Sequence, residues 1–248
     1  MRKDIELAMQ LAAPQHSNDW FRQRLGNFTG SQIGRLMKSG RAKGDIFSAD
    51  AKKYMLKILS ERDINFQTRS DDEEFSKYLN LTSISSKAMA WGSDHEWEAR
   101  ELYEETTGNI VTTCGALWLP ELKGFADSPD GIVLDKDGCI EIKCCMPETF
   151  TQYKYFIYDA ATLKEINDVY YWQVMSHMLA TGAAWCDWIA YMPFDEKPLH
   201  IVRIERDEKA LAQILERIAL ANEYIDNIKK EYNERRLRQH SDGNVRVA

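Results

Sequence analysis

The sequence predicts an α/β domain, a central mixed β-sheet flanked by helices, and three features carry that expectation. The apolar runs 132–134 (Ile-Val-Leu) and 139–142 (Cys-Ile-Glu-Ile) flank a four-residue turn, 135–138, closed by Gly138, which is how a tight β-hairpin reads in sequence. Residues 88–107 and 168–182 carry apolar side chains at helical spacing and stop at Gly108 and Gly182. Residues 184–191 and 200–205 read as two closing strands. With 44% hydrophobic residues among 248, the chain can bury one large core, and a single domain fits best.

Residues 1–18 have a short helical pattern (Ile5, Met9, Ala12) that stops at Pro14 and offers no chemistry. Residues 19–31 give a helical turn broken by Gly26, a short extended piece, and Ser31 placed to cap a helix over 32–37. A capped helix start with Arg24 nearby is a ready phosphate site, although a plain cap beside an unrelated surface arginine produces the same pattern. Residues 39–45 form a loop, and 49–62 an amphipathic helix with Tyr54, Met55, Ile58 and Leu59 inward. The polar stretch 67–86 is expected as a loop or a mobile helical excursion.

In the 88–107 helix, Glu96 shares a stripe with Ala99, Leu102 and Tyr103, and an acid on an inward face needs a partner; an exposed helix glutamate is the alternative. Residues 110–120 are expected to be a strand, and 147–167 a loop followed by a weak helix. The 168–182 helix is capped by Asp168 and apolar almost all round, hence buried. Gln173 inside it must find hydrogen bonds, whether from a metal-bound water, a DNA phosphate or a strand carbonyl. His177 is read as a satisfied core histidine, since no second histidine has ligand spacing. Residues 207–236 form a long amphipathic helix with Leu211, Ile214, Ile218 and Ile225 on one face, and the tail from 239 is expected to fray.

A net charge of −7 argues against a protein that coats nucleic acid over its whole surface. Residues 19–60 nevertheless hold nine Lys or Arg against three Asp, so that segment is +6 and the remainder −13, the distribution of a DNA channel leading to an acidic centre or of a solvated basic face. The five cysteines, Cys114, Cys139, Cys144, Cys145 and Cys186, form no CxxC pair and no zinc spacing, so they are expected as free thiols in a reducing cytoplasm. Neither a signal peptide nor an apolar run of about 18 residues is visible, so no membrane association is expected.

On the second hairpin strand Glu141 and Lys143 share one face, while Ile140, Ile142 and Cys144 share the other and point into a core. With the turn centred between Lys136 and Asp137, Asp130 lies opposite Lys143 and diagonal to Glu141, roughly 7–8 Å away. Two carboxylates plus waters suit Mg²⁺, and a lysine beside them can orient or deprotonate the water that attacks a phosphodiester. A surface hairpin with an exposed Asp/Glu/Lys stripe fits the same residues, and a one-residue slip of register would dissolve the site.

Pro129-Asp130 followed by Glu141-Ile142-Lys143 resembles the PD-(D/E)xK nuclease signature. With Arg24-Leu25-Gly26 and Thr29-Gly30-Ser31, Ala90-Trp91-Gly92 with Glu96, Ser128-Pro129-Asp130-Gly131, and Gln173, the chain resembles the lambda exonuclease and YqaJ-type viral recombinase family over residues 20–209. The resemblance implies a restriction-endonuclease-like α/β core in a single PD-(D/E)xK nuclease domain, 1–248. Within it, 19–60 would be the DNA-contacting part, 88–206 the catalytic core and 207–236 the C-terminal helix. It implies a 5′→3′ exonuclease that resects duplex DNA ends to leave a 3′ strand for a single-strand annealing protein. A ring-shaped homotrimer, phage-encoded and working in the cytoplasm of a bacterial host, goes with it.

Carried over by resemblance, Asp130, Glu141 and the Ile142 carbonyl would hold Mg²⁺, with Mn²⁺ able to substitute. Glu96 would complete a second metal shell, Lys143 and Gln173 would handle the water, and Arg24, Ser31 and Ser128 would grip the 5′-phosphate. The family's further phosphate-binding arginine has no counterpart in 146–150, so either Lys154 substitutes or the contact is missing. A structure-specific endonuclease of the same fold and a catalytically silent DNA-end binding module are the other readings; the intact Asp130, Glu141 and Lys143 set argues against silence.

Overall fold

The computed structural model describes residues 1–82 and 87–241. Ile5–Leu11 (α1) and Asn18–Arg24 (α2) lead into the short strand Phe28–Thr29 (β1), after a turn at Gly26 with φ 73°, a left-handed value open to glycine. Gly30–Leu36 (α3) starts directly after β1, and Ala49–Arg62 (α4) begins where the Ser48 side chain accepts from the Ala51 N–H. The polar stretch after it takes the helical form: Phe66–Ser70 (α5) is capped by Asn65, and Asp72–Thr82 (α6) is anchored by the buried Phe75. Residues 83–86 of that stretch lie outside the described residues. Lys87–Thr107 (α7) follows and ends at Gly108, φ 66°.

The strand expected over 110–120 shrinks to Leu117–Trp118 (β2) and a single bridge from Thr112 to Ile132. The N-terminal segment runs against this stretch, and a side chain at Gly115 would collide with the Ala13 carbonyl. Phe125–Asp127 (β3), Gly131–Val133 (β4) and Gly138–Cys144 (β5) come next. Within 147–167, expected as a loop followed by a weak helix, the chain is helical from its start: Pro147–Phe156 (α8) has the proline in the first turn, where its missing N–H is not needed. Ala160–Ile166 (α9) and Asp168–Thr181 (α10) lead to the strands Trp185–Tyr191 (β6) and Leu199–Glu205 (β7) and the long helix Glu208–Ser241 (α11). The cap of α10 is Asn167 rather than Asp168, its Oδ1 accepting from Tyr170 N at 3.3 Å, and Gly182 ends the helix at φ 69°.

One central sheet was expected; the strands form two mixed sheets, β1-β3-β2 and β4-β5-β6-β7. In the first, β1 runs parallel and β2 antiparallel to β3; in the second, β5 and β6 are parallel and the outer pairs antiparallel. The parallel β5-β6 pair requires a crossover, which α8, α9 and α10 provide. Helix α10 is buried over residues 171–181 because it lies between α3 and strands of both sheets. Apolar side chains fill both faces of the larger sheet, with Cys139 and Trp188 in the main core and Ile140, Ile142, Ile189 and Tyr103 in a second cluster under α7.

The hairpin register differs from the expected one by two residues in pairing. Leu134 leaves the strand for a 3-10 turn, Asp137 closes the loop at φ 53°, and Val133 pairs with Gly138. Gly138 is therefore not a turn residue; it opens β5, and a side chain there would strike the Trp185 ring. The pairing places Asp130 opposite Glu141, not Lys143. An even shift leaves each side chain on its face, so the acidic pair survives the error.

Candidate active site

Asp130 stands just before β4 begins, its N–H donating to the Ile140 carbonyl at 3.2 Å and its Oδ2 accepting from Ile142 N at 2.7 Å. The N–H and C=O of a strand residue point the same way, so the Ile142 carbonyl also faces the side where β4 has ended. Glu141, 2% exposed, has both oxygens engaged: Oε1 pairs with the Lys143 ammonium and Oε2 lies 2.6 Å from His177 Nε2. Lys143 Nζ also donates to Gln173 Oε1 at 3.2 Å and sits 4.6 Å from the Tyr170 ring centroid. Gln173 and His177, one turn apart on α10, thus meet the β5 pair, Gln173 at the Lys143 ammonium and His177 at the Glu141 carboxylate. Glu96 approaches from α7, pairs with Arg100 at 2.6 Å, and lines with Asp130 a cavity of about 380 Å³.

Burial would raise the Glu141 pKa, but Lys143 and His177 hold it down at about 2. Asp130 goes the other way: burial, then the Glu141 and Glu96 charges, raise it well above the ordinary aspartate value. For His177, burial opposes the charge, yet Asp127 and Glu141 raise the pKa well above the usual histidine value. Among the described residues no group of three His, Cys, Asp or Glu side chains could hold a metal unaided. The donor set of two carboxylates opposite each other, a free strand carbonyl and room for water fits Mg²⁺ or Mn²⁺, which keep several waters and take few protein ligands. A cation there would relieve the charge conflict at Asp130.

That conflict has a stability consequence. The folded pKa of Asp130 is raised, so above about pH 4 the unfolded chain releases a proton that the folded protein keeps. Stability in the absence of metal therefore falls with rising pH up to the raised folded value. Asp130→Asn keeps the acceptor for Ile142 N and removes the charge, and should raise the melting temperature in EDTA at pH 8 by about 2–4 °C per kcal/mol gained, with a smaller gain at pH 4. Thermal unfolding of both proteins at the two pH values checks this; an asparagine variant no more stable than the parent at pH 8 would contradict the conflict.

Arg24 ends α2 with its guanidinium 4.2 Å from the Trp20 ring centroid, and that guanidinium makes no hydrogen bond or ion pair with any described residue. Burial lowers its pKa, opposed by the charges of Asp127, Glu141 and Asp130 around it. Ser128 Oγ accepts from Trp20 Nε1 at 3.0 Å, and Ser128 N donates to Asp127 Oδ1 at 2.8 Å. Ser31 is not a cap: Thr29 holds that position without a side-chain bond, and Ser31 lies in the first turn of α3. Gly30 beside it packs so closely on Asp127 that any side chain would strike the carboxylate. Lys154 is paired with Asp195 at 2.6 Å rather than standing free. Much of the basic 19–60 segment is likewise paired, Arg22 with Asp19 and Asp72, Arg35 with Asp50 and Lys57 with Glu61.

His177 is, as read, a buried histidine with both ring nitrogens satisfied, but two features of the site go beyond the sequence reading. His177 Nδ1 lies 2.9 Å from Asp127 Oδ2 as Nε2 meets Glu141; its place one turn after Gln173 was visible, its carboxylate partners were not. The N-terminal segment, which showed no chemistry, forms a wall of the cavity with Pro14 and His16. Gln15 Nε2 ties it there by donating to the carbonyls of Cys114 at 2.9 Å and Pro129 at 3.0 Å, next to Asp130.

Residues 19–184 match the YqaJ-like viral recombinase domain. The chain belongs to this family. Glu96, Asp130, Glu141, Lys143, Gln173, Arg24, Ser31 and Ser128 all fall inside the matched YqaJ-like region, whereas Gln15 precedes it. Among solved structures, an alkaline exonuclease (LHK-Exo) from Laribacter hongkongensis is similar at 29% identity with a TM-score of 0.68, covering 90% of this chain and 99% of that one. LHK-Exo in complex with dAMP gives 28% and 0.67, over 88% and 99%. A phage-related exonuclease from Haemophilus somnus 129PT shares the fold at 14% identity and a TM-score of 0.60, over 83% and 96%. No curated protein matches.

Proposed function

We propose that the protein is a Mg²⁺-dependent exonuclease that digests the 5′ strand of linear duplex DNA and leaves a 3′ single strand for an annealing protein. The observation that carries the reading is the buried Glu141 with the half-buried Asp130 and Lys143, close to an Arg24 guanidinium that no carboxylate among the described residues pairs with. The family and the similar exonuclease structures support it. The dAMP in one of them is a mononucleotide, what stepwise removal from a DNA end releases.

Asp130, Glu141 and the Ile142 carbonyl would hold the metal, with Glu96 across the cavity. A bound Mg²⁺ supplies Lewis-acid polarisation of the scissile phosphate and lowers the pKa of water. Lys143 is kept charged by Glu141, Tyr170 and Asp130 despite burial, which suits it to orient the water and stabilise developing negative charge rather than to take a proton. Gln173 fixes the ammonium through its Oε1. Arg24, stacked on Trp20, would clamp the terminal phosphate with Ser128 and Ser31. A homotrimeric ring around the duplex, in the cytoplasm of a phage-infected bacterium, extends the reading by resemblance. Among the described residues no helix is long and apolar enough to cross a membrane.

Incubation with linear and closed circular duplex, with Mg²⁺ or EDTA, tests this. Only the linear form with Mg²⁺ should be degraded. Cutting of the circle would favour a structure-specific endonuclease, and end binding without hydrolysis a silent module.

A further inference from the structure

The imidazole of His177, fully buried, bridges two carboxylates that are themselves 1% and 2% exposed, Asp127 and Glu141. The part-buried His200, by contrast, meets a neutral acceptor, the Ile157 carbonyl at 2.7 Å. Two buried carboxylates around one ring are a far costlier arrangement, because each charge must be taken out of water. We infer that His177, anchored by Asp127, is a positioning residue that fixes the Glu141 carboxylate for metal binding. The inference rests on the metal-dependent reading above.

Glu141 is clamped at both ends, Oε2 by His177 and Oε1 by Lys143, so its plane cannot turn and each oxygen keeps a lone pair for a cation. Asp127 is fixed in turn: Oδ1 accepts from Ser128 N, and Gly30 packs against the carboxylate. Asp127 ends β3 of one sheet and Glu141 lies in β5 of the other. His177 therefore ties the β5 carboxylate to the wall that carries Ser128 and the start of α3. The arrangement is the carboxylate–histidine support that orients metal ligands in other proteins, here acting on a glutamate rather than through a ligating histidine.

The test separates hydrogen-bond direction from packing. In His177→Gln the amide can donate to Glu141, but its carbonyl oxygen then faces the Asp127 carboxylate, two acceptors together. Adding Asp127→Asn restores a donor there, so Asp127→Asn/His177→Gln rebuilds the donation from residue 127 through 177 to Glu141 without the charges. Mn²⁺ affinity is read by electron paramagnetic resonance on DNA-free protein, with thermal unfolding to confirm folding. His177→Gln should bind Mn²⁺ about 10–100-fold more weakly than the parent, and the double variant should recover to within a few-fold. The half-saturating Mg²⁺ for digestion should move by the same factor while KM for DNA ends stays put. Parent-like Mn²⁺ affinity in folded His177→Gln would overturn the inference. So would a folded double variant as weak as the single one, and this arm decides the matter if His177→Gln alone fails to fold. A parent protein that binds no Mn²⁺ would instead overturn the metal-dependent reading, and the inference with it.

Discussion

Lys143→Ala and Glu141→Gln are each expected to reduce the single-turnover rate of DNA hydrolysis by about 10³-fold or more, with the fold retained. Among the described residues Lys143 and His177 are the cations within bonding distance of Glu141, and the Lys143 ammonium is already aimed by Gln173, so its removal takes away a preorganised charge where the phosphate must develop its own. Loss of a single preorganised donor costs about 10²–10³ in rate, and a full charge beside a metal more. Folding should survive because the Lys143 side chain is 21% exposed, so water can replace it at Glu141. Glu141→Gln keeps the shape and an acceptor for His177 but removes one of the two carboxylate charges from the proposed metal site. Rapid-quench measurement of the first turnover on a saturating linear duplex checks both, and Lys143→Ala retaining a tenth of the rate would remove that lysine from the mechanism.

Arg24→Ala should erase most of a preference for 5′-phosphorylated over 5′-hydroxyl ends. The guanidinium is stacked on Trp20, without a protein partner among the described residues, and beside Ser128 and α3, so a terminal phosphate would meet a fork already held in place. One charge-assisted contact is worth about 1.5–3 kcal/mol, or roughly ten- to a hundredfold in rate on phosphorylated ends. The hydroxyl-ended substrate never uses the contact, so its rate should hardly change. Arg24→Lys should rescue only in part, having the charge but not the two-pronged geometry. Initial rates on paired duplexes that differ only in the 5′ group decide it. Equal parent rates on the two ends, or an unchanged ratio in the variant, would reduce Arg24 to a structural stack on Trp20.

The acidic pair was legible because strand parity is robust. Asp130 and Glu141 share a face at the observed register and at the expected one, which differ by two residues. The register itself was not legible, since Gly138 looks like a turn residue and its reason for being glycine is the Trp185 ring, a neighbour far along the chain. The helices 49–62 and 168–181 were read almost to the residue from apolar spacing and end signals. The helices within 66–82 and the 147–156 helix were less visible because few of their side chains are buried; Phe75 anchors α6, and Phe150 with Tyr153 anchor α8 while Tyr155 and Phe156 stay exposed. His177 was readable as buried but not as a bridge, because its two carboxylates come from different sheets. Residues 12–16 are held by Gln15 reaching the backbone carbonyls of Cys114 and Pro129 and by Gln23 bonding the Ala13 N–H, contacts that leave no pattern in sequence.

A 5′→3′ exonuclease and a 3′→5′ one differ in which end of a strand is lost first. A blunt linear duplex with one strand labelled at its 5′-phosphorylated terminal nucleotide and differently at its 3′ terminal nucleotide puts the polarity to the test, in Mg²⁺ and with the two labels followed in time. The account predicts that the 5′ label is released first, as a mononucleotide, while the 3′ label stays in long single strands until late. Early loss of the 3′ label with the 5′ label retained would contradict it.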